Sequence, residues 1–248
     1  ARSLAEIAAD VAEVQAQLAE VGRTVSEEAS QVQRLTTGLR GEITRARMVP
    51  VGTLFARFAR PLREAARAAG KAVALQVSGE GVEVDNRLIQ QLADPLLHLV
   101  RNAVAHGIEG EAERRAQGKP PQGTLHLRAY HQGSAVFVEV EDDGRGMDPR
   151  ALAAAAVRRG LLGPEAAAAL KPAQALDLIF LPGFSTAPEV TAAAGRGVGM
   201  DVVRTEVRRL NGDVTVETQP GAGTRFTIKL PLTLIIADAL FVRAGAET

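Results

Sequence analysis

The sequence predicts an α+β protein in two parts: a helical N-terminal segment, then helices laid on one face of a sheet that contains several antiparallel strands. Three observations predict it. Apolar residues in positions 1–46 recur at heptad spacing. The stretches "GTLHLRAYHQGSAVFVEVEDDG" and "DVTVETQPGAGTRFTIKLPL" alternate apolar with polar residues on either side of a glycine, the pattern of a β-hairpin. The segments before and between them carry apolar residues at helical spacing.

In the N-terminal segment Leu4, Ile7, Val11, Val14, Leu18 and Val21 advance by alternate steps of three and four. Gly22 and "RTVSE" interrupt the seam, and Thr24 with Glu27 has the spacing of a capping box for a second helix bearing Val32, Leu35, Leu39 and Ile43. Two short amphipathic helices cannot bury such seams alone. An antiparallel hairpin pairing with a second copy as a four-helix dimer would bury them. One continuous coiled-coil helix is the alternative, because Val25 keeps the heptad phase across the interruption.

From about Arg47 the pattern mixes α and β. "VGTLFARFARPLREAARAAG" reads as a helix stopped by Gly70, and "KAVALQVSGE" as a strand. "VDNRLIQQLADPLLHLVRNAVAHG" reads as a helix with Asp85 as N-cap and Gly107 at its end, kinked at Pro95. The first hairpin turns near Gly133. Alanine-rich helical segments follow, then a helix from about Met200 to Asn211 and the second hairpin.

Composition narrows the function. Of 248 residues 46% are hydrophobic but only 3% aromatic, with no Trp, so the core is built of Leu, Val, Ile and Ala. The 29 basic and 29 acidic residues cancel, which removes a composition-based case for nucleic-acid binding. With no cysteine, disulfides, thiol catalysis and cysteine-ligated zinc are excluded. No apolar run approaches the ~20 residues of a membrane span and no signal-peptide pattern opens the chain, so the expectation is a soluble cytoplasmic protein.

Four glycine-bearing clusters stand out: "EDDGRGMD" (141–148), "LPGFSTA" (181–187), "AGRGVGMDVV" (194–203) and "QPGAGTRF" (219–226). Glycines let backbone N–H groups approach a ligand, phosphate oxygens in particular. Neither a P-loop motif nor a Rossmann fingerprint occurs. In the first cluster Asp142 ends a strand just ahead of Gly144 and Gly146, where a carboxylate can accept hydrogen bonds from an exocyclic amine such as adenine presents. Gly195, Gly197 and Gly199 lead into a helix, whose N-terminus suits phosphate. Arg196 between them is a candidate phosphate contact.

On the helix of "PLLHLVRNAVAHGIE", His98, Asn102 and His106 stand four residues apart and share one face, while Leu92, Leu96, Leu99, Val100, Ala103 and Val104 fall on the other. The Asn102 amide oxygen can coordinate Mg²⁺. His98 can orient or accept a proton from an attacking group, and His106 is a phosphate donor when protonated.

The order of these elements resembles the dimerisation and ATP-binding region of the chemotaxis-type histidine kinases, the CheA family. "HLVRNAVAHGIE" is similar to the family's N-box, "DDGRGMD" to its first glycine box, "IFLPGFSTA" to its F-box, and "GRGVGMDVV" and "GAGTRFTIKLPLTL" to the remaining glycine boxes. "RARMVPVGTLFARFARPLREAARAAGK" resembles the entry into the nucleotide domain, and the likeness runs from about Leu35 to Val242. The resemblance implies a Bergerat-type (GHKL) α/β sandwich over 47–232, a dimerisation hairpin over 1–46, and the start of a truncated regulatory coupling domain over 233–248. It implies Mg²⁺ and ATP as cofactors, with His98 and Asn102 as catalytic residues and Asn102 as metal ligand. Arg101, His106, Asp142, Gly144, Gly146, Ser185, Gly195, Arg196, Gly197, Val198, Gly199, Met200 and Thr224 would contact ATP. The 181–199 segment would form the ATP lid, with Phe180 and Phe184 packing its base.

The wider group commonly has Glu four residues before the Asn, where it activates water; His98 at that position fits transfer to a histidine better than hydrolysis. None of His98, His106, His126 and His131 precedes an acid or lies on the N-terminal helices. The expected phosphoryl acceptor is therefore on a separate phosphotransfer domain, absent here, and the chain reads as a fragment. The other partners implied are a second copy of the chain, a response regulator, and a coupling protein and receptor array. Two departures stand against the family pattern, Ala105 in place of Asp and Ala155 near the place of a Lys, with Arg158 and Arg159 both available to replace that cation. They motivate an alternative, a degenerate dimeric scaffold that binds nucleotide weakly. An ATPase of the gyrase or MutL type is disfavoured by His98 and by the neutral charge.

Overall fold

The structure is a computed structural model that describes residues 4–184 and 199–232. The chain divides into two compact units, Ala1–Met48 and Val49–Thr248.

The first unit is one helix, α1 (Leu4–Ala46), 43 residues without a break. The predicted hairpin does not form; the continuous helix, its alternative, does. Gly22 costs a helix interior only about 1 kcal/mol, and the Thr24 hydroxyl donates back to the Glu20 carbonyl at 3.1 Å instead of capping a new helix. The heptad seam runs straight through. Leu18, Val21, Val25, Val32, Leu35, Leu39 and Ile43 line one stripe, each more than half exposed.

The second unit has as principal elements α2 (Ala59–Ala68), β1 (Val73–Ser78), α3 (Asn86–Asn102), β2 (Gly123–Gln132), β3 (Ala135–Asp142), α4 (Pro149–Arg158), α5 (Met200–Arg209), β4 (Asp213–Gln219) and β5 (Gly223–Pro231). The expected helix before Gly70 is split: Gly52–Phe55, a 3₁₀ turn Ala56–Phe58, then α2. The strands form one sheet in the order β1-β2-β3-β5-β4. Both predicted hairpins form, β2 with β3 and β4 with β5, and β3 pairs antiparallel with β5. The antiparallel expectation omitted one pairing: β1 runs parallel to β2, Leu75 opposite Leu125, a connection that needs a crossover and finds it in α3.

The strand period of two sorts the side chains. Leu125, Leu127 and Ala129 of β2, Val136, Val138 and Val140 of β3, and Ile228 and Leu230 of β5 are buried in one hydrophobic core with Leu88, Leu92, Leu96, Leu99 and Val100 of α3 and Val203 and Val207 of α5. The opposite face is polar and aromatic: Tyr130 stacks on Phe137 with centroids 5.2 Å apart, and Arg225 pairs with Glu141 at 2.9 Å. Continuing the inward phase of β3 one step past Val140 brings Asp142, a carboxylate, to the end of the core face. Among the described residues no helix is long and apolar enough to cross a membrane.

Candidate nucleotide-binding site

Helix α3 is set by its buried leucines and by the Asp85 side chain, which accepts the Arg87 N–H at 2.8 Å as the N-cap. It runs through Pro95 and ends at Asn102 rather than Gly107. Residues Ala103–Gly107 form a π turn, closed by the Ile108 N–H on the Ala103 carbonyl at 2.7 Å. The wider turn rotates each residue less than an α turn, so His106 does not continue the predicted face at the same pitch. Lys71 stabilises the turn from outside: its Nζ donates to the carbonyls of Val104 at 2.7 Å and Ala105 at 3.0 Å.

His98 is half-buried. Burial first, then the Arg101 cation, lowers its pKa below the ordinary imidazole value, with Asp201 opposing and His106 adding to the effect. Its ring is therefore neutral at pH 7 and able to accept a proton. His106 is lowered too, by burial and then by Lys71 and Arg145. The sequence suggested a protonated phosphate donor at this position; these neighbours keep the ring neutral and leave it a single N–H to donate. Arg101 is exposed beside Asn102. The Asn102 amide N–H donates to the Met200 sulfur at 3.3 Å, which ties α3 to the first residue of α5. Gly199 is the N-cap of that helix. Among the described residues no cluster of three His, Asp or Glu side chains could cage a metal ion. A single amide oxygen instead fits a hard cation that keeps most of its water and shares phosphate oxygens, as magnesium does.

Asp142 is 5% exposed. It lies opposite Leu125 on one side and Thr224 on the other. Burial pushes its carboxyl up to about 6, against the pull of the Gly144 and Thr224 backbone amides and with help from the charges of Asp143 and Glu109. The Gly144 N–H donates to Asp142 Oδ1 at 2.9 Å. Gly107, the last residue of the π turn, lies against the carboxylate, and a Cβ on it would come 3.0 Å from both oxygens. A Cβ on Gly144 would come 2.2 Å from the Gly107 carbonyl oxygen, so the two strips of backbone touch only because both are glycine there. The Arg145 N–H donates to that same oxygen at 2.9 Å. Thr224 is buried, and its hydroxyl lies 3.1 Å from that of Thr218, which accepts the Met147 N–H at 2.9 Å just beyond Gly146.

One turn thus connects the predicted residues. Asn102 enters it with His98 a turn earlier and Met200 against its amide, and Gly107 leaves it on top of Asp142. Phe180 and Phe184 are buried, Phe180 beneath Arg204 at 3.9 Å. Ser185, Gly195, Arg196, Gly197 and Val198 lie outside the described residues. Ala155 is buried in the core, so a cation on it would not face solvent, and Arg159 reaches the Gly183 carbonyl at 3.2 Å while Arg158 is exposed. Sequence reasoning missed Lys71, which stood only as the first residue of a predicted strand, and Gly107, which looked only like the end of a helix. It also missed an ion network behind the Asp142 turn, in which buried Arg114 and Glu109 meet the partly exposed Lys119 and Asp143.

The fold agrees with the family comparison. The chain belongs to the histidine kinase-, DNA gyrase B-, and HSP90-like ATPase family, whose model matches residues 91–234. Within that family it is similar to the chemotaxis protein CheA of Treponema pallidum, at 45% identity over 88% of this chain and 27% of that protein. It is likewise similar to CheA of Borreliella burgdorferi, at 41% identity over 89% of this chain and 25% of that protein. The resemblance read from the motifs is borne out, and the chain spans about a quarter of the length of these relatives. Among solved structures, the blue-light activated histidine kinase domain of Erythrobacter litoralis matches 75% of this chain and 68% of its own, at 19% identity and a TM-score of 0.42.

Proposed function

We propose that this chain is the ATP-binding core of a chemotaxis-type protein-histidine kinase, transferring the γ-phosphoryl group of ATP to a histidine on a separate phosphotransfer domain. The observation that carries the reading is the turn Ala103–Gly107, which joins an amide-and-imidazole face at Asn102 to a buried carboxylate at Asp142, in a chain similar to CheA proteins over most of its length. Asp142 accepts hydrogen bonds from the purine's exocyclic amine, Thr224 and the Gly144–Gly146 turn flank the base, and the Asn102 oxygen holds magnesium. Magnesium, when bound, neutralises charge on the phosphate oxygens.

The chain's own residues then position and accept. The acceptor imidazole's nitrogen lone pair forms the P–N bond as the P–O bond to the β-phosphate breaks, and that electron pair leaves with ADP. The acceptor ring sheds its remaining N–H proton to neutral His98. The exposed stripe of α1 is the face through which two copies associate as a coiled coil, because a heptad seam gains stability only when a partner covers it. A coupling protein, receptor array and response regulator complete the proposed signalling chain.

Labelled ATP mixed with this chain and an isolated phosphotransfer domain tests the reading: label appears on the domain's histidine only when both proteins are present. The second reading, a dimeric scaffold, is motivated by Ala105, which offers no carboxylate beside Asn102. Absent or millimolar nucleotide binding with dimerisation intact would favour it.

A further inference from the structure

We propose that Arg114 is a positioning residue for the base pocket: it fixes Asp143, and through that residue's backbone it aims the carboxylate of Asp142. The inference rests on the nucleotide reading above and names what holds the base end of that site.

Arg114 is 1% exposed, in a six-residue helix whose next residue, Arg115, is a solvated cation paired with Glu111. Each nitrogen of its guanidinium donates a hydrogen bond. Nε donates to the Pro120 carbonyl at 2.7 Å, Nη1 to Glu109 Oε2 at 3.0 Å and to Asp143 Oδ1 at 3.1 Å, and Nη2 to Asp143 Oδ2 at 2.8 Å. The pair with Asp143 is a two-point fork, which fixes orientation as well as distance. Lys119 closes the network, donating to Glu109 Oε1 at 2.7 Å and to the carbonyls of Asp143 at 3.0 Å and Gly144 at 2.7 Å. Asp143 Oδ1 also accepts the Thr124 N–H at 2.9 Å, locking the turn to β2.

None of these bonds goes to Asp142. They grip the two residues after it, and Gly144 is the residue whose N–H holds the Asp142 carboxylate. Arg114 and Glu109 are taken out of water while Lys119 and Asp143 keep part of their solvent, and a buried ion pair of this kind is weak evidence for added stability. The network's geometric result is specific: a single orientation for the 142–144 backbone that carries the Asp142 carboxylate. Adenine presents an amine donor where guanine presents a carbonyl acceptor, so a carboxylate held in one orientation accepts the first and repels the second. Loosening the turn should therefore cost adenine affinity and base selectivity together, and leave the phosphate end untouched.

The test is the equilibrium affinity of the full chain for Mg·ATP and Mg·GTP, in the wild type and in Arg114→Lys, Asp143→Asn and Arg115→Met, with cooperative thermal unfolding confirmed for each. Lysine cannot reproduce the fork. Arg114→Lys and Asp143→Asn should weaken ATP by roughly tenfold to a hundredfold, the scale of misplacing a bound group by about an ångström, and narrow the ATP/GTP ratio. Arg115→Met should bind as the wild type does. A purely structural role would lower the melting temperature and leave the ratio unchanged in the folded fraction. Folded variants with wild-type affinity and ratio overturn the inference alone, and a wild type that ignores ATP overturns the nucleotide reading beneath it. Should Arg114→Lys fail to fold, Asp143→Asn and Lys119→Met decide, since both leave the Arg114–Glu109 pair in place.

Discussion

Replacing Asp142 with Asn should make the protein more stable and its nucleotide binding worse. The folded carboxyl is pushed from 3.8 up to about 6 because it is buried at the end of the core face. At about 1.4 kcal/mol per tenfold change in proton affinity, ionising it in the fold costs about 3 kcal/mol. The sign follows from linkage: between pH 3.8 and about 6 the folded state binds more protons than the unfolded chain, so stability falls as pH rises through that window. Above about pH 6 the whole penalty is present, and below about pH 4 it is gone. Asparagine carries no charge and keeps an oxygen for the Gly144 N–H, but its NH₂ needs a partner, a loss of about 1 kcal/mol. The net gain at pH 7.5 is about 2 kcal/mol, or roughly 5 °C in melting temperature for a domain of this size. Urea and thermal unfolding of both proteins at pH 7.5 and pH 4 measure it. A variant no more stable than the wild type at pH 7.5, or an advantage unchanged at pH 4, would refute the assignment of a penalised carboxylate.

Other outcomes follow from the same geometry. Asn102→Ala should remove magnesium-dependent nucleotide affinity and reduce phosphoryl transfer by about a hundredfold or more, while the loss of its bond to Met200 leaves a folded protein with a cooperative melt, as read from labelled transfer and differential scanning. Nucleotide affinity should fall as pH drops below about 6, because protonating Asp142 removes charge from the amine acceptor; a titration series from pH 5 to 8 shows whether it does. Leu35→Glu with Leu39→Glu, both on the exposed stripe of α1, should convert a dimer to a monomer in sedimentation without altering nucleotide affinity. Lys71→Met leaves the carbonyls of Val104 and Ala105 without their donor and should cost about 1–3 kcal/mol of stability, with faster hydrogen exchange confined to the π turn.

Much of this was legible in the sequence for one reason: burial imposes a period. The leucines of α3 and the alternating valines of β3 announce which face is inside, and the same count places Asp142 on the inner face. What was not legible depends on partners distant along the chain. Nothing local separates buried Arg114 from exposed Arg115, since the difference is Asp143, 29 residues away. The π turn is equally silent, because it is held by Lys71 from 33 residues upstream. The predicted hairpin failed because Gly22 and a capping-box spacing are weak local signals, outweighed by a heptad phase that continues through Val25. The parallel pairing of β1 was hidden by its short, half-buried strand, which carries no signal of direction.

The account stands on one nucleotide spanning both ends of this turn, and manganese substituted for magnesium tests that in a single complex by nuclear magnetic resonance. With Mn·ATP bound, the Asn102 side-chain amide should be broadened beyond detection, while in the magnesium complex the adenine protons show contacts to the amides of Gly144 and Thr224. Broadening at Asn102 without adenine contacts at those amides, or adenine contacts without broadening, would contradict it.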